Sequence, residues 1–318
     1  TNGGAVPDAA VVTVNSPGSL TVLADETVGG LVGSGAVSLL GSTLTINAST
    51  VNGFSGVISG TGALVKDGTG AVILGGASTF TGGVSLNAGT IKIANNSGLG
   101  SGVLTMSGGV IMSDSMTDRS VSNGYAWSGG ITLGNATNTG ILSFTGNGSL
   151  TSNVLLNSPS PVDLTGVISG SGGLTKSGSG VLTLRGMNTF SGGLTLNSGP
   201  LELGSDSALG TGSFMLSGGS VSSDGPSPRS LPNALGVGAS ATLGNSVKNG
   251  LLTLSGPVML SAMPMGMVAV FGGTLPAISP LGAVEVGTFY IAKYEVTWGE
   301  FQSVRTWAAA NGYDLGAV

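Results

Sequence analysis

Asp114 and Arg119 stand five residues apart, and the same two residue types return at the same spacing as Asp224 and Arg229. Carboxylates and basic residues gathered in a groove are the equipment of β-helical polysaccharide enzymes, where carboxyl groups act as acid, base or nucleophile. The same pair is also a simple brace for a surface loop. Duplication favours the brace, because a catalytic centre is seldom copied intact along a stalk. Asp163, Glu202 and Asp206 occur once each, and the sequence assigns them no partner.

What is missing narrows the chemistry further. The 318 residues contain no Cys and no His. Disulfides, thiol nucleophiles, Cys- or His-based metal sites and Ser-His-Asp triads are thereby excluded. The many glycines invite a phosphate-cradling reading. However, no Gly-x-Gly step has a further Gly three residues on, and no Gly-Lys-Ser/Thr follows one. The Gly- and Asp-rich calcium-binding nonapeptide is absent too. The expectation is no catalytic, cofactor or metal site in this chain, with Asp114, Arg119, Asp224 and Arg229 as repeated surface pairs.

Only 7% of residues are charged while 40% are hydrophobic and 60 are Gly, a balance that excludes a disordered chain. The net charge of −5 comes with no basic stripe, so nucleic acid is not an expected partner. Thr1-Asn2-Gly3 opens the chain without a leader, and a signal peptide and any outer-membrane anchor are expected outside it. The uncharged stretch from Lys248 to Glu285 is interrupted by Pro257, Pro264, Pro276 and Pro280. It reads as strand and linker, and no transmembrane segment is expected.

The elements that carry these residues repeat. Gly56-Val57-Ile58-Ser59-Gly60 returns as Gly166-Val167-Ile168-Ser169-Gly170, and the two copies run without a gap at an offset of 110. The register reaches from Asn47 against Asn157 to Leu133-Gly134-Asn135 against Leu243-Gly244-Asn245. Within a copy, apolar residues alternate: Val72 with Leu74, Val84 with Leu86, Ile91 with Ile93. Period-two spacing puts each pair on one face of a strand and turns Ser85, Lys92, Thr195 and Glu202 to the other. Asn87-Ala88-Gly89 and Asn197-Ser198-Gly199 read as turns that need a positive φ. A long gap-free repeat with turns at fixed offsets points to stacked coils of roughly 20 residues, about five per unit. The fold class expected is all-β, a parallel β-helix or solenoid.

Leu64-Val65-Lys66-Asp67-Gly68-Thr69-Gly70, Thr79-Phe80-Thr81-Gly82-Gly83 and Asn87-Ala88-Gly89-Thr90 together resemble the autotransporter-associated β-strand repeat. Leu174 to Gly180, Thr189 to Gly193 and Asn197 to Gly199 form the second copy, with Pro200 where the first has Thr90. The resemblance covers about 30–260. It implies a secreted or outer-surface bacterial protein with a β-helical stalk.

The composition changes after residue 262, giving two expected domains, a stalk over 1–262 and a different module over 263–318. Phe289 to Val296 reads as a strand. Thr297 with Glu300 is a capping box opening a helix, with Phe301, Val304, Trp307 and Ala308 on one face and Gly312 at its end. Met267 to Thr274, Phe289 to Thr297 and Trp307 to Tyr313 resemble the opening of a formylglycine-generating (sulfatase-modifying factor) domain. That resemblance implies a strand-helix fragment of a C-type-lectin-like α/β fold. The family's cysteines and metal-binding positions lie further along than Val318, so none of its functional residues transfers to this chain. The sequence therefore reads as a non-enzymatic, adhesive or structural stalk displaying a module, its partners surface glycans or other surface proteins. Two alternatives stand beside it: a tether for a formylglycine-generating enzyme, and a carbohydrate-active β-helix.

Overall fold

The structure, a computed structural model, describes residues 4–238 and 241–260. Beyond them it describes the strands Met267–Val270, Gly273–Thr274, Glu285–Val286 and Phe289–Ala292. The chain divides into two units, Thr1–Met259 and Leu260–Val318.

The first unit is a parallel β-solenoid of about twelve turns, with no helix among the described residues. Its short strands stack in register: Leu44 on Leu64, Leu64 on Val84, Val84 on Leu104 and Leu104 on Tyr125. Each turn of the chain visits three such stacks. Ser19, Ala36 and the strand at Ile58 begin the first face, Leu44 and Leu64 belong to the second, and Asn52 and Val72 to the third. Strand stacking of this kind fixes a rise of roughly 4.8 Å per turn, so twelve turns make about 58 Å of solenoid.

Alternation decides what fills it. Leu44, Ile46, Leu64, Val84, Leu86 and Leu104 point inward and are fully or almost fully buried. The turn glycines close the corners. Gly89 and Gly199 have φ of 70° and 74°, as their place in the two Asn-x-Gly turns requires. A Cβ on Gly89 would come within 2.4 Å of the Gly70 carbonyl and 2.6 Å of Lys66 Nζ, so the tight corner excludes a side chain as well.

The 110-residue repeat does not span a whole number of turns. Leu64 belongs to the second face, but its counterpart Leu174 stacks under Val154 in the third. Asn52–Phe54 lies in the third face, whereas its counterpart Val162–Leu164 continues the stack Arg119–Val121, Leu142–Phe144 of the first. One unit therefore advances five turns and one further face. Wider turns at the junction contribute to this. Most rungs step 20 residues, as from Leu64 to Val84, but Tyr125 to Gly148 is 23 and Thr132 to Asn157 is 25. Here the strands Tyr125–Leu133 and Gly148–Asn157 run on around a corner, with the register shifting between Trp127 and Gly129.

The described strands of the second unit pair antiparallel, Met267–Val270 with Phe289–Ala292 and Gly273–Thr274 with Glu285–Val286. The strand expected from Phe289 begins there and is described to Ala292. The helix expected after Thr297 lies outside the described residues. Among the described residues, no helix is long and apolar enough to cross a membrane.

Candidate functional site

Both expected pairs are ion pairs, and each braces a corner. The strand Val110–Ser113 ends at Asp114, the chain loops out, and Arg119–Val121 starts the next face. Arg119 Nη2 donates to Asp114 Oδ1 at 2.7 Å and its Nε donates to the Ile93 carbonyl one turn away at 3.0 Å. Ser113 Oγ closes the loop on the Thr117 carbonyl at 2.8 Å. The second copy repeats each contact: Arg229 with Asp224 at 3.1 Å, Arg229 Nε on the Leu203 carbonyl at 3.1 Å, Ser223 Oγ on the Ser227 carbonyl at 2.7 Å. The one-face advance puts the two loops on different corners of the solenoid, between third and first faces in one unit and first and second in the next. They do not line one groove.

The singly occurring carboxylates do have partners, and Asp163 and Glu202 belong to a patch that the second repeat copy carries and the first lacks. Arg185 donates to Asp163 at 3.0 Å and to Asp224, linking three turns. Lys248 reaches Glu202 at 2.5 Å, and Thr183 donates to the same carboxylate oxygen at 3.2 Å. Asp206 accepts from the Ser230 amide, as its counterpart Asn96 does from Ser120. Glu202 points outward as its place in the alternation requires, yet only 5% of it is exposed. Lys248 and Thr183 hold its carboxylate, so an outward direction did not mean a solvated side chain. In the first repeat copy the positions of Asp163, Arg185, Glu202 and Lys248 are Gly53, Gly75, Lys92 and Asn138. The scaffold is copied, but the patch is not. Arg185 remains firmly charged: Asp163, Asp224 and Glu202 more than offset its partial burial and raise its pKa.

Two lysines of the repeat motif carry a role that the motif alone does not assign. Lys66 and Lys176 are fully buried. Lys176 Nζ donates to the carbonyls of Ser177, Gly178 and Ser198 at 3.3, 3.0 and 3.1 Å. Lys66 does the same for Asp67, Gly68 and Ala88. Each ammonium ties its own turn to the turn one rung on. Burial lowers both pKa values, that of Lys176 to about 8. The signal was present, since Leu64-x-Lys66 places the lysine on the inward side.

Among the described residues no group of three or more His, Cys, Asp or Glu is placed to hold a metal ion. Every aromatic side chain within 4–258 is buried, so this span offers no exposed ring for a sugar to stack on. The arrangement braces corners and covers a face.

Residues 64–93 and 174–203 each match the passenger-associated-transport-repeat family. The matched stretches are the two copies that contain Lys66 and Lys176 and the turns they tie. The chain is also similar to the adhesin BmaC autotransporter of Brucella suis biovar 1 (strain 1330). They are 33% identical over 190 residues, which cover 59% of this chain and 5% of the adhesin. The chain thus spans a small part of that relative. No solved structure matches it significantly.

Proposed function

We propose that this chain is a stretch of adhesive stalk: a β-solenoid that holds contact surfaces away from a bacterial cell. The similarity to the Brucella adhesin, together with two passenger-repeat matches on a solenoid, carries the reading. A cell-surface or extracellular location follows from the same likenesses. The mechanism is geometric. Backbone ladders and an apolar interior make a rod, and its mostly uncharged Ser, Thr and Asn exterior suits glycans or other surface proteins as partners. The geometry of the expected pairs gives a carbohydrate-cleaving reading no support, since each carboxylate is held by an arginine and the two sit on different corners.

The antiparallel pairing of Met267–Val270 with Phe289–Ala292 favours a distinct module following the stalk. The formylglycine-generating assignment, and with it the tether reading, rests on the sequence resemblance alone. Beads coated with the chain should be retained on cultured cell monolayers or glycan surfaces above the level of beads coated with an unrelated β-solenoid. Equal retention on every surface would remove adhesion and leave only a spacer.

A further inference from the structure

Among the described residues, three polar atoms in the wide turns have no partner: Asn123 Oδ1, the Tyr125 hydroxyl and Trp127 Nε1, all shielded from solvent. Their side chains alternate along one run of chain and all three are buried. Asn123 Nδ2 is committed to the carbonyls of Leu99, Gly100 and Gly102 at 3.4, 3.2 and 2.6 Å, which leaves Oδ1 as an unused acceptor. Tyr125 stacks on Trp127 with ring centroids 4.1 Å apart, and Phe144 meets both edge-on at 5.6 and 5.4 Å. Burial drives the Tyr125 pKa well above its ordinary value, so the hydroxyl keeps its proton and can both donate and accept.

The rungs that carry these atoms are longer than most. These rungs step 23 and 25 residues where most step 20. The Tyr125 ring packs directly on the Gly148 backbone, where a Cβ would come within 2.0 Å of it, which holds the ring and its hydroxyl in place. A second, independent observation comes from the other unit. Asn233, the counterpart of Asn123, is also buried with its Oδ1 unused, while its Nδ2 donates to Gly210 and Gly212 at 3.0 and 2.7 Å. The residues after it are Leu235 and Val237 in place of the two aromatics. The same acceptor left open at the same place in two units marks a bound donor.

We propose that the solenoid interior binds water, one molecule donating to the Asn123 amide oxygen and another to that of Asn233. In the wide turns this hydration extends to the Tyr125 hydroxyl and the Trp127 indole. The amide oxygens call for a donor, the indole N–H for an acceptor and the phenol for either. Water molecules can fill each of these roles, and an ion would lie unpaired among apolar neighbours.

The test is magnetic relaxation dispersion of water nuclei on the full chain, which counts internal waters of long residence. At least two are expected in the native protein and fewer in Y125F. In a W298F/W307F background, where Trp127 is the remaining tryptophan, Y125F should also move the emission to the blue and lower the Tm. A count of zero, or a Y125F that raises the Tm and leaves the emission in place, overturns the proposal. In that case the hydroxyl was bare and its removal a relief.

Discussion

Lys176 shows how much a single side chain can be asked to do in a thin rod. An ammonium has three donors, and here three backbone carbonyls from two turns receive them. Lys176→Met would keep the packing and leave those carbonyls short of a donor, at a cost of about 1–3 kcal/mol at neutral pH. The pH dependence has a definite sign. Burial holds the folded pKa near 8, below the ordinary lysine value of 10.5, so the unfolded chain binds more protons between the two. Stability should therefore rise as pH climbs from about 8 to 10.5, and K176M should reduce that rise in urea titrations, leaving the part carried by Lys66, whose pKa burial also lowers. A rise undiminished in K176M would assign the titration elsewhere. Asp224 gives a second residue-scale prediction. It holds both Arg185 and Arg229, whereas Asp114 holds Arg119. Asp224→Asn should cost about 1–3 kcal/mol, and Asp114→Asn, which loses one partly exposed pair, about 0.2–1 kcal/mol. Equal midpoints in denaturant would show that Arg185 adds nothing.

At the scale of the element, the corner is the unit that matters. Gly89→Ala would meet a left-handed φ, two backbone carbonyls and Lys66 Nζ at once. The backbone term alone is roughly 1–2 kcal/mol, so G89A should lose at least that much in chemical denaturation. Ser85→Ala, on the outward side of the strand before it, should change stability by less than about 0.5 kcal/mol. These corners were the legible part of the sequence. Alternation gave the inward residues, and the Asn-x-Gly turns gave the positive φ. The partners were not legible, for a reason specific to solenoids: neighbours in space lie one or two turns apart in sequence. Arg185 finds Asp163 22 residues back and Asp224 39 ahead, and Lys248 finds Glu202 across 46. Such spacings mean nothing until the turn length is known, and turn length varies here from 17 to 25. For the same reason, the expectation of about five coils per unit missed the extra face.

At the scale of the whole solenoid, that extra face changes what repetition achieves. A unit of whole turns would copy each surface feature along one side. Advancing by one face turns the Asp-Arg corner, and any contact surface tied to it, onto a new side of the rod in the next unit. Stability is distributed differently, because each turn is held only by its two neighbours. The first and last described turns have one described neighbour in the stack, and their inward residues reflect this: Val12, Leu20, Leu252 and Leu254 are only partly buried, while Leu86, Leu104, Leu184 and Leu196 are fully buried. Amide hydrogen exchange should therefore grade along the axis, slowest in the central turns and faster at 11–21 and 242–254. Leu104→Ala, which empties a central rung at a cost of about 2–5 kcal/mol, should speed exchange most in the rungs stacked on it, Val84–Leu86 and Tyr125–Trp127. The effect should fade with each further turn. Protection that falls equally in every turn would mean that the rod opens as a single cooperative block, and that its ends are as firmly held as its middle.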